Sequence, residues 1–358
     1  MDGAQGVFHR EHGSIRHFFD ASLLGTLNVI RHTVVSAKFG RPRRAVAALL
    51  IGFGVVAADA GAQVAIVLNS GEGTVSIIDK VKKEEIKRIP VGKEPHHLMA
   101  TPDDQYLIVA NAVSNDLVLL DPKSGEIKRR IDKISDPYQI GFSPDKKWFV
   151  SVSLRLNRTD IYDGDFKLVK RIATPKAPSH VGFTSDSKLA LITLQDSNQL
   201  AAIDLATQAV KWTIPVGLMP AGVWVTPDDK YALIGMTGAD YVEVVELATR
   251  KTIKKIKTGK GAHNFIAMGD ARRILVSNRV ANTVNIIDQQ TLEVVDTIKV
   301  PGGPDCMELT ADGKELWVTS RWAKKVTIID MATKQITKQI PVGNSPHGIY
   351  FMGHAARK

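Results

Sequence analysis

Residues 101–121 read TPDDQYLIVANAVSNDLVLLD. The stretch opens on a Pro-Asp turn, passes through two short runs of Val, Ile and Leu, and ends on an acidic residue. Proline at the second turn position followed by aspartate suits a type I turn. Apolar runs of four or five residues between turn residues read as strands. The closing phrase returns as TVSIID, LVLLD, TDIYD, LAAID, VEVVE, TVNIID and VTIID, ending at Asp79, Asp121, Asp163, Asp204, Glu246, Asp288 and Asp330. Successive endings are 41 or 42 residues apart. A fixed period of that length, with four short strands in each unit, is the signature of propeller blades rather than of a helical solenoid.

Two further markers keep this register. Pro95, Pro137, Pro178, Pro220, Pro304 and Pro346 recur, with Ala262 standing in once. The turn TPDD returns as SPDK, TSDS, TPDD, MGDA and TADG. In the second unit the pattern places strand B at 106–110, C at 117–120, D at 126–131 and the following A at 139–142. The repeats start on a B strand at 64–68 and end on an A strand at 348–352. The chain is therefore expected to form an all-β, seven-bladed propeller over residues 63–358. Its last A strand completes the N-terminal blade, and closure of this kind leaves no open sheet edge between blades.

The phrases IPVGNSPHGIYF, TADGKELWVTSRWAKKVTIIDMATKQI and TPDDQYLIVANAVSNDLVLLD resemble the YVTN-repeat, YncE-like propellers, within the wider cytochrome d1-like group. The resemblance covers residues 64–352. It implies the fold but not one function, since the group includes surface-layer proteins, periplasmic binding proteins, zinc chaperones and a haem-bearing nitrite reductase domain.

Outward from the repeats, residues 41–62 read RPRRAVAALLIGFGVVAADAGA. A basic start, an apolar run and a small-residue end spell a secretory signal. The run falls short of the roughly 20 apolar residues that span a bilayer. Cleavage after Ala62 would release a periplasmic or secreted chain with no transmembrane anchor. Residues 1–40 match neither the signal nor the repeats and read as an extension, with Val34 or Val35 as an alternative start. The single cysteine, Cys306, excludes an internal disulfide, a C-x-x-C-H haem attachment and a multi-cysteine zinc site.

The formal net charge of the 358 residues is +10. Much of the basic charge falls on D strands (Lys87, Arg88, Lys128, Arg129, Lys170, Arg171, Lys254, Lys255), where it guards blade edges against sheet pairing. A nucleic-acid surface needs a one-sided basic patch with exposed aromatics; nucleic acid is therefore not an expected partner. A monomer is expected.

Candidate chemistry gathers just after the repeat marker. The first following position holds His96, Tyr138, Ser179, Ala221, His263, Asp305 and His347, and the next holds His97, Gln139, His180, Gly222, Asn264, Cys306 and Gly348. Strand A lines the channel, so these residues should crowd one solvated mouth. His96, His263, Asp305 and His347 come from four successive inner strands. Imidazoles and a carboxylate suit zinc or copper, with His97, His180 and Cys306 as additional ligands. The B–C loops of the same face carry Arg155, Arg279, Arg321 and Trp322. Arg279 and Arg321 share a repeat position and could clamp a carboxylate or phosphate; with Tyr138 and Trp322 they outline a cofactor-binding rim. No hydrolase elbow, phosphate loop or H-E-x-x-H motif occurs. The expected function is a non-enzymatic binding protein that holds a metal ion or an anionic small molecule. The alternatives are a lactonase-like enzyme at the same mouth and a scaffold for a periplasmic protein partner.

Overall fold

A computed structural model describes residues 64–357. The signal segment 41–62 and the extension 1–40 lie outside the described residues. Twenty-eight strands, β1 to β28 in chain order, form seven four-stranded antiparallel sheets. The second blade comprises β4 (Pro95–Ala100), β5 (Leu107–Asn111), β6 (Asp116–Leu120) and β7 (Ile127–Asp132). In the blade that closes the ring, β28 (Pro346–Phe351) pairs with β1 (Val64–Asn69), which pairs with β2 (Thr74–Asp79) and then β3 (Glu84–Pro90). The expected permutation is thus the observed one.

Every residue of β5 and β6 is buried, whereas β7 is exposed along nearly its whole length. Middle strands have a neighbouring blade on each face, which is why they read as continuous apolar runs rather than as alternating ones. The core is a set of apolar layers between blades. Ile66, Leu68, Val75 and Ile77 pack on Leu107, Val109, Val118 and Leu120. The layer across the closure packs Ala65, Val67 and Ile78 on Trp317, Val326 and Ile328. The ring is therefore shut by side-chain packing as well as by the β1–β28 ladder.

The Pro-Asp turns have a common build. Thr101 Oγ1 donates to Asp103 Oδ1 at 2.5 Å, and Asp104 takes φ 56°. Thr226, Asp228 and Asp229 repeat the arrangement, with a 2.7 Å hydrogen bond and φ 55°. A type I turn followed by a left-handed residue joins two strands with matching twist. Among the described residues, no helix is long and apolar enough to cross a membrane.

Candidate functional site

The inner strands are β4, β8 (Gln139–Phe142), β12 (Pro178–Phe183), β16 (Pro220–Val225), β20 (Ala262–Ala267), β24 (Pro304–Leu309) and β28. The residue before the repeat marker is left-handed in all seven: Glu94, Asp136, Ala177, Met219, Gly261, Gly303 and Ser345 have φ between 45° and 84°. Five of these are not glycine, and each such residue costs on the order of 1 kcal/mol or more. The kink turns the chain off the rim and into the channel. A register shift follows at once in six of the inner strands, as between Pro304 and Met307 and between Ala262 and Phe265. Bulges of this kind re-aim side chains and leave a backbone amide without a ladder partner. Hydroxyls of the second strand take those amides: Cys306 N donates to Thr319 Oγ1, His180 N to Thr193 Oγ1 and Asn264 N to Ser277 Oγ, at 3.0–3.2 Å.

Asp305 is the hub. Arg279 Nη2 lies 2.5 Å from its Oδ1 and Arg321 Nη1 lies 3.1 Å from its Oδ2. His263 Nδ1 is 3.3 Å from Oδ1, and His347 Nε2 is 3.6 Å from Oδ2. Both imidazoles thus face the carboxylate, whereas the buried Arg279 Nε has no protein partner. Burial alone would raise the Asp305 pKa. Arg279, and then His347 and His263, overcome it and hold the carboxyl well below its ordinary range.

The histidines are not loop residues at a solvated mouth, as the sequence suggested. His96, His180, His263 and His347 are each 2–3% exposed and lie within the inner strands. The expectation failed because in these four strands the marker residue (Pro95, Pro178, Ala262 or Pro346) is itself the first strand residue, so the positions after it are already inside the ring. Burial, reinforced by neighbouring arginines or histidines, drops His96, His180 and His347 well below 6.5 and His263 to about 4. All four are neutral at physiological pH.

The imidazoles also do not share one coordination point. His96 is sandwiched between Tyr138, whose ring centroid is 3.6 Å away, and His347, at 4.1 Å. Its Nδ1 donates to the Tyr138 carbonyl at 2.8 Å, which leaves only Nε2 as an acceptor. His180 meets His263 edge-on at 4.9 Å, and its Nδ1 is 2.8 Å from Ser179 Oγ. Asp305, Cys306 and His347 bring one donor atom each within 4.8 Å of one another. Cys306 Sγ accepts from Asn264 Nδ2 at 3.0 Å, and burial pushes its thiol pKa up. It sits 3.7 Å from His347 Nδ1, whereas Asp305 faces the other ring nitrogen. A dication held by Asp305 would also lie beside two guanidiniums.

Of the remaining candidates, His97 faces the channel interior with Asn264 and Cys306. Trp322 is 58% exposed on the rim, where its indole lies against left-handed Gly303; a Cβ there would come within 2.6 Å of the ring. Arg155 does not join Arg279 and Arg321. It pairs with Asp136 at 2.5 Å and with Glu94. The mouth is consequently polarised, with two guanidiniums to one carboxylate around Asp305 and the reverse around Arg155. The sequence reading missed Thr193, Ser277 and Thr319, although a hydroxyl recurring at one repeat position was a visible signal.

A family model for YNCE-like beta-propellers matches residues 41–357. No curated protein matches the chain. Among solved structures, a functionally unknown protein from Desulfotomaculum acetoxidans DSM 771 aligns at TM-score 0.70 and 15% identity, covering 81% of this chain and 98% of that one. The dihydro-heme d1 dehydrogenase NirN in complex with DHE aligns at TM-score 0.62 and 18% identity, covering 81% and 75%. Hydrazine synthase from Kuenenia stuttgartiensis aligns at TM-score 0.60 and 16% identity, covering 70% and 87%. At these identities the likeness is one of fold.

Proposed function

The chain belongs to the YNCE-like beta-propeller family, and from that premise we propose that it is an exported binding protein that holds an anionic, carboxylate-bearing small molecule at the arginine-lined mouth of its channel. One observation carries the reading. Two guanidiniums share a single buried carboxylate, and the buried Arg279 Nε has no protein partner. A buried donor without a partner is costly, and an incoming oxyanion would satisfy it. Arg279 and Arg321 keep 18% and 26% of their side chains exposed while Asp305 keeps none, so the cationic groups form the surface that a ligand meets.

Binding fits this mouth better than catalysis does. A general acid or base works best with a pKa near the working pH. The four buried histidines and Asp305 are all held below that range.

Sulfate is a suitable probe because it does not titrate near neutrality, and haemin is a second one that carries two carboxylates on a large apolar body. Calorimetric titration should show Arg321→Met weakening sulfate about tenfold, the worth of one charge-assisted hydrogen bond. Unchanged affinity would sink the proposal. The proximity of Asp305, Cys306 and His347 favours a second reading, a zinc or copper site, and pH separates the two. Protonating an imidazole strengthens an anion site and competes with a metal. Between pH 5 and 4, where His263 takes up its proton, sulfate should bind more tightly; zinc affinity would fall.

Export rests on the order of residues 41–62. Protein recovered from the periplasm should have an intact mass corresponding to Gln63–Lys358. A cytoplasmic product that retains Arg41–Ala62 would refute it.

A further inference from the structure

We propose that the channel end remote from the histidine cluster is a site for an organic cation, an amidinium, guanidinium or amine on an apolar body, and that Arg357 of the chain's own tail occupies it. The ion pair that carries the proposal, Arg357 with Glu308, is not part of the anion-binding mouth.

After β28 the chain crosses the channel end. Ala311 N donates to the Gly353 carbonyl at 2.9 Å, Ala355 N donates to the Leu309 carbonyl at 2.8 Å, and His354 forms a β-bridge with Thr310. Ala355 packs among the core side chains beside Leu309 and Met307. Arg357 then reaches Glu308 with both arms, Nη1 to Oε1 at 3.0 Å and Nη2 to Oε2 at 2.7 Å.

Glu308 is the anomaly. Four residues beyond the repeat marker, the other inner strands carry Met99, Gly141, Gly182, Trp224, Ile266 and Tyr350. An acid is therefore not something the repeat requires at this position. The Glu308 side chain is 3% exposed, whereas that of Arg357 is 49% exposed. A buried carboxylate in an apolar wall carries a desolvation penalty that is relieved by taking up a proton or by pairing with a cation. Here that cation arrives from the chain's end. Burial raises the Glu308 pKa to about 7 even though Arg357 acts against it, and Lys80 adds a weaker opposing charge.

There is room for more than a guanidinium. Cavities of 510 Å³ and 470 Å³ flank the tail, and both have Met99 and Arg357 in their walls. One adds Phe265 and Tyr350 and extends along the channel to His97, Asn264 and Cys306; the other adds Phe142, Phe183 and Trp224. Aromatic faces around an anionic centre suit a cation with an apolar body. Ligands of pocket size commonly fill cavities of roughly 300–1,000 Å³.

The test compares three isosteric probes, benzamidine (cation), benzamide (neutral) and benzoate (anion), on the full chain and on Arg357→Ala. Calorimetry should show benzamidine binding the variant at least tenfold more tightly than the wild type, with benzamide at least tenfold weaker than benzamidine. Benzamidine should also raise the Tm of the variant more than that of the wild type, a readout that needs no second substitution. Adding Glu308→Gln to Arg357→Ala should abolish the benzamidine response. Three outcomes would overturn the proposal: equal benzamidine affinity with and without Arg357, benzamide binding as tightly as benzamidine, or benzoate binding the wild type in preference to benzamidine. The last would make the tail guanidinium itself an anion site.

Discussion

Purified protein should lose stability steeply as the pH falls from 6.5 towards 4. His263 has a folded-state pKa of about 4, and the pKa values of His96, His180 and His347 are also well below 6.5. A histidine whose folded pKa is depressed binds its proton more readily in the unfolded chain. Its contribution is therefore complete above pH 6.5 and disappears as the pH drops through the window between the two values. For His263 alone the loss at pH 4 is about 3 kcal/mol, since each pKa unit is worth about 1.4 kcal/mol. The other three histidines act in the same direction, and together they represent a large part of the 5–15 kcal/mol by which proteins are typically stable. Thermal melts at pH 8, 7, 6, 5 and 4.5 should show the Tm falling below about pH 6.5 by on the order of 10 °C or more, with Glu308, whose carboxyl is raised to about 7, gaining stability as the pH drops and offsetting part of the loss. His263→Gln should make the acid limb shallower. A Tm that stays level from pH 7 to pH 5 would mean that these rings are hydrated or already paired, and the neutral, buried cluster would have to be abandoned.

The same residues mark the limit of what the sequence could say. Blade number, strand order and closure were legible because a 41–42-residue period locks the acids from Asp79 to Glu246 and Asp330 into one register. That register also brought His96, His263, Asp305 and His347 to one end of the channel, and Arg279 and Arg321 beside them. Three things were not legible. Period-2 reasoning cannot foresee a bulge that follows six of the seven markers, so the burial of the histidines was missed. Side-chain direction was invisible as well: His96 stacks on Tyr138 and His347 instead of aiming at a shared point, and Arg155 turns to Asp136 and Glu94. The pairing of Arg357 with Glu308 lay outside any repeat logic, because the tail follows the last strand. Repeats predict what they repeat; the chemistry sits where single residues depart from them.

Removing the hub carboxylate tests whether the mouth is built for stability or for ligand. Asp305→Ala should cost about 3–5 kcal/mol, the usual penalty for stranding buried charges by deleting one partner. Arg279 loses its 2.5 Å contact, and Arg321 loses its 3.1 Å contact. A buried ion cluster is nevertheless weak evidence of stabilisation, because well-packed apolar replacements of the whole set are often neutral or better. The triple variant Asp305→Leu, Arg279→Met, Arg321→Met should therefore regain most of the stability lost in Asp305→Ala while failing to bind sulfate. In Asp305→Ala the two guanidiniums no longer have an internal competitor, so sulfate should bind at least tenfold more tightly than to wild type. By mass action it should also restore part of the lost Tm, by about 2.7 kcal/mol at a hundred times its Kd. Chemical denaturation with and without sulfate measures both effects. A cost below about 1 kcal/mol would show that the arginines simply swing into solvent. A stability loss that sulfate does not repair would place the cluster on the structural side and remove the main support for an anion-binding mouth.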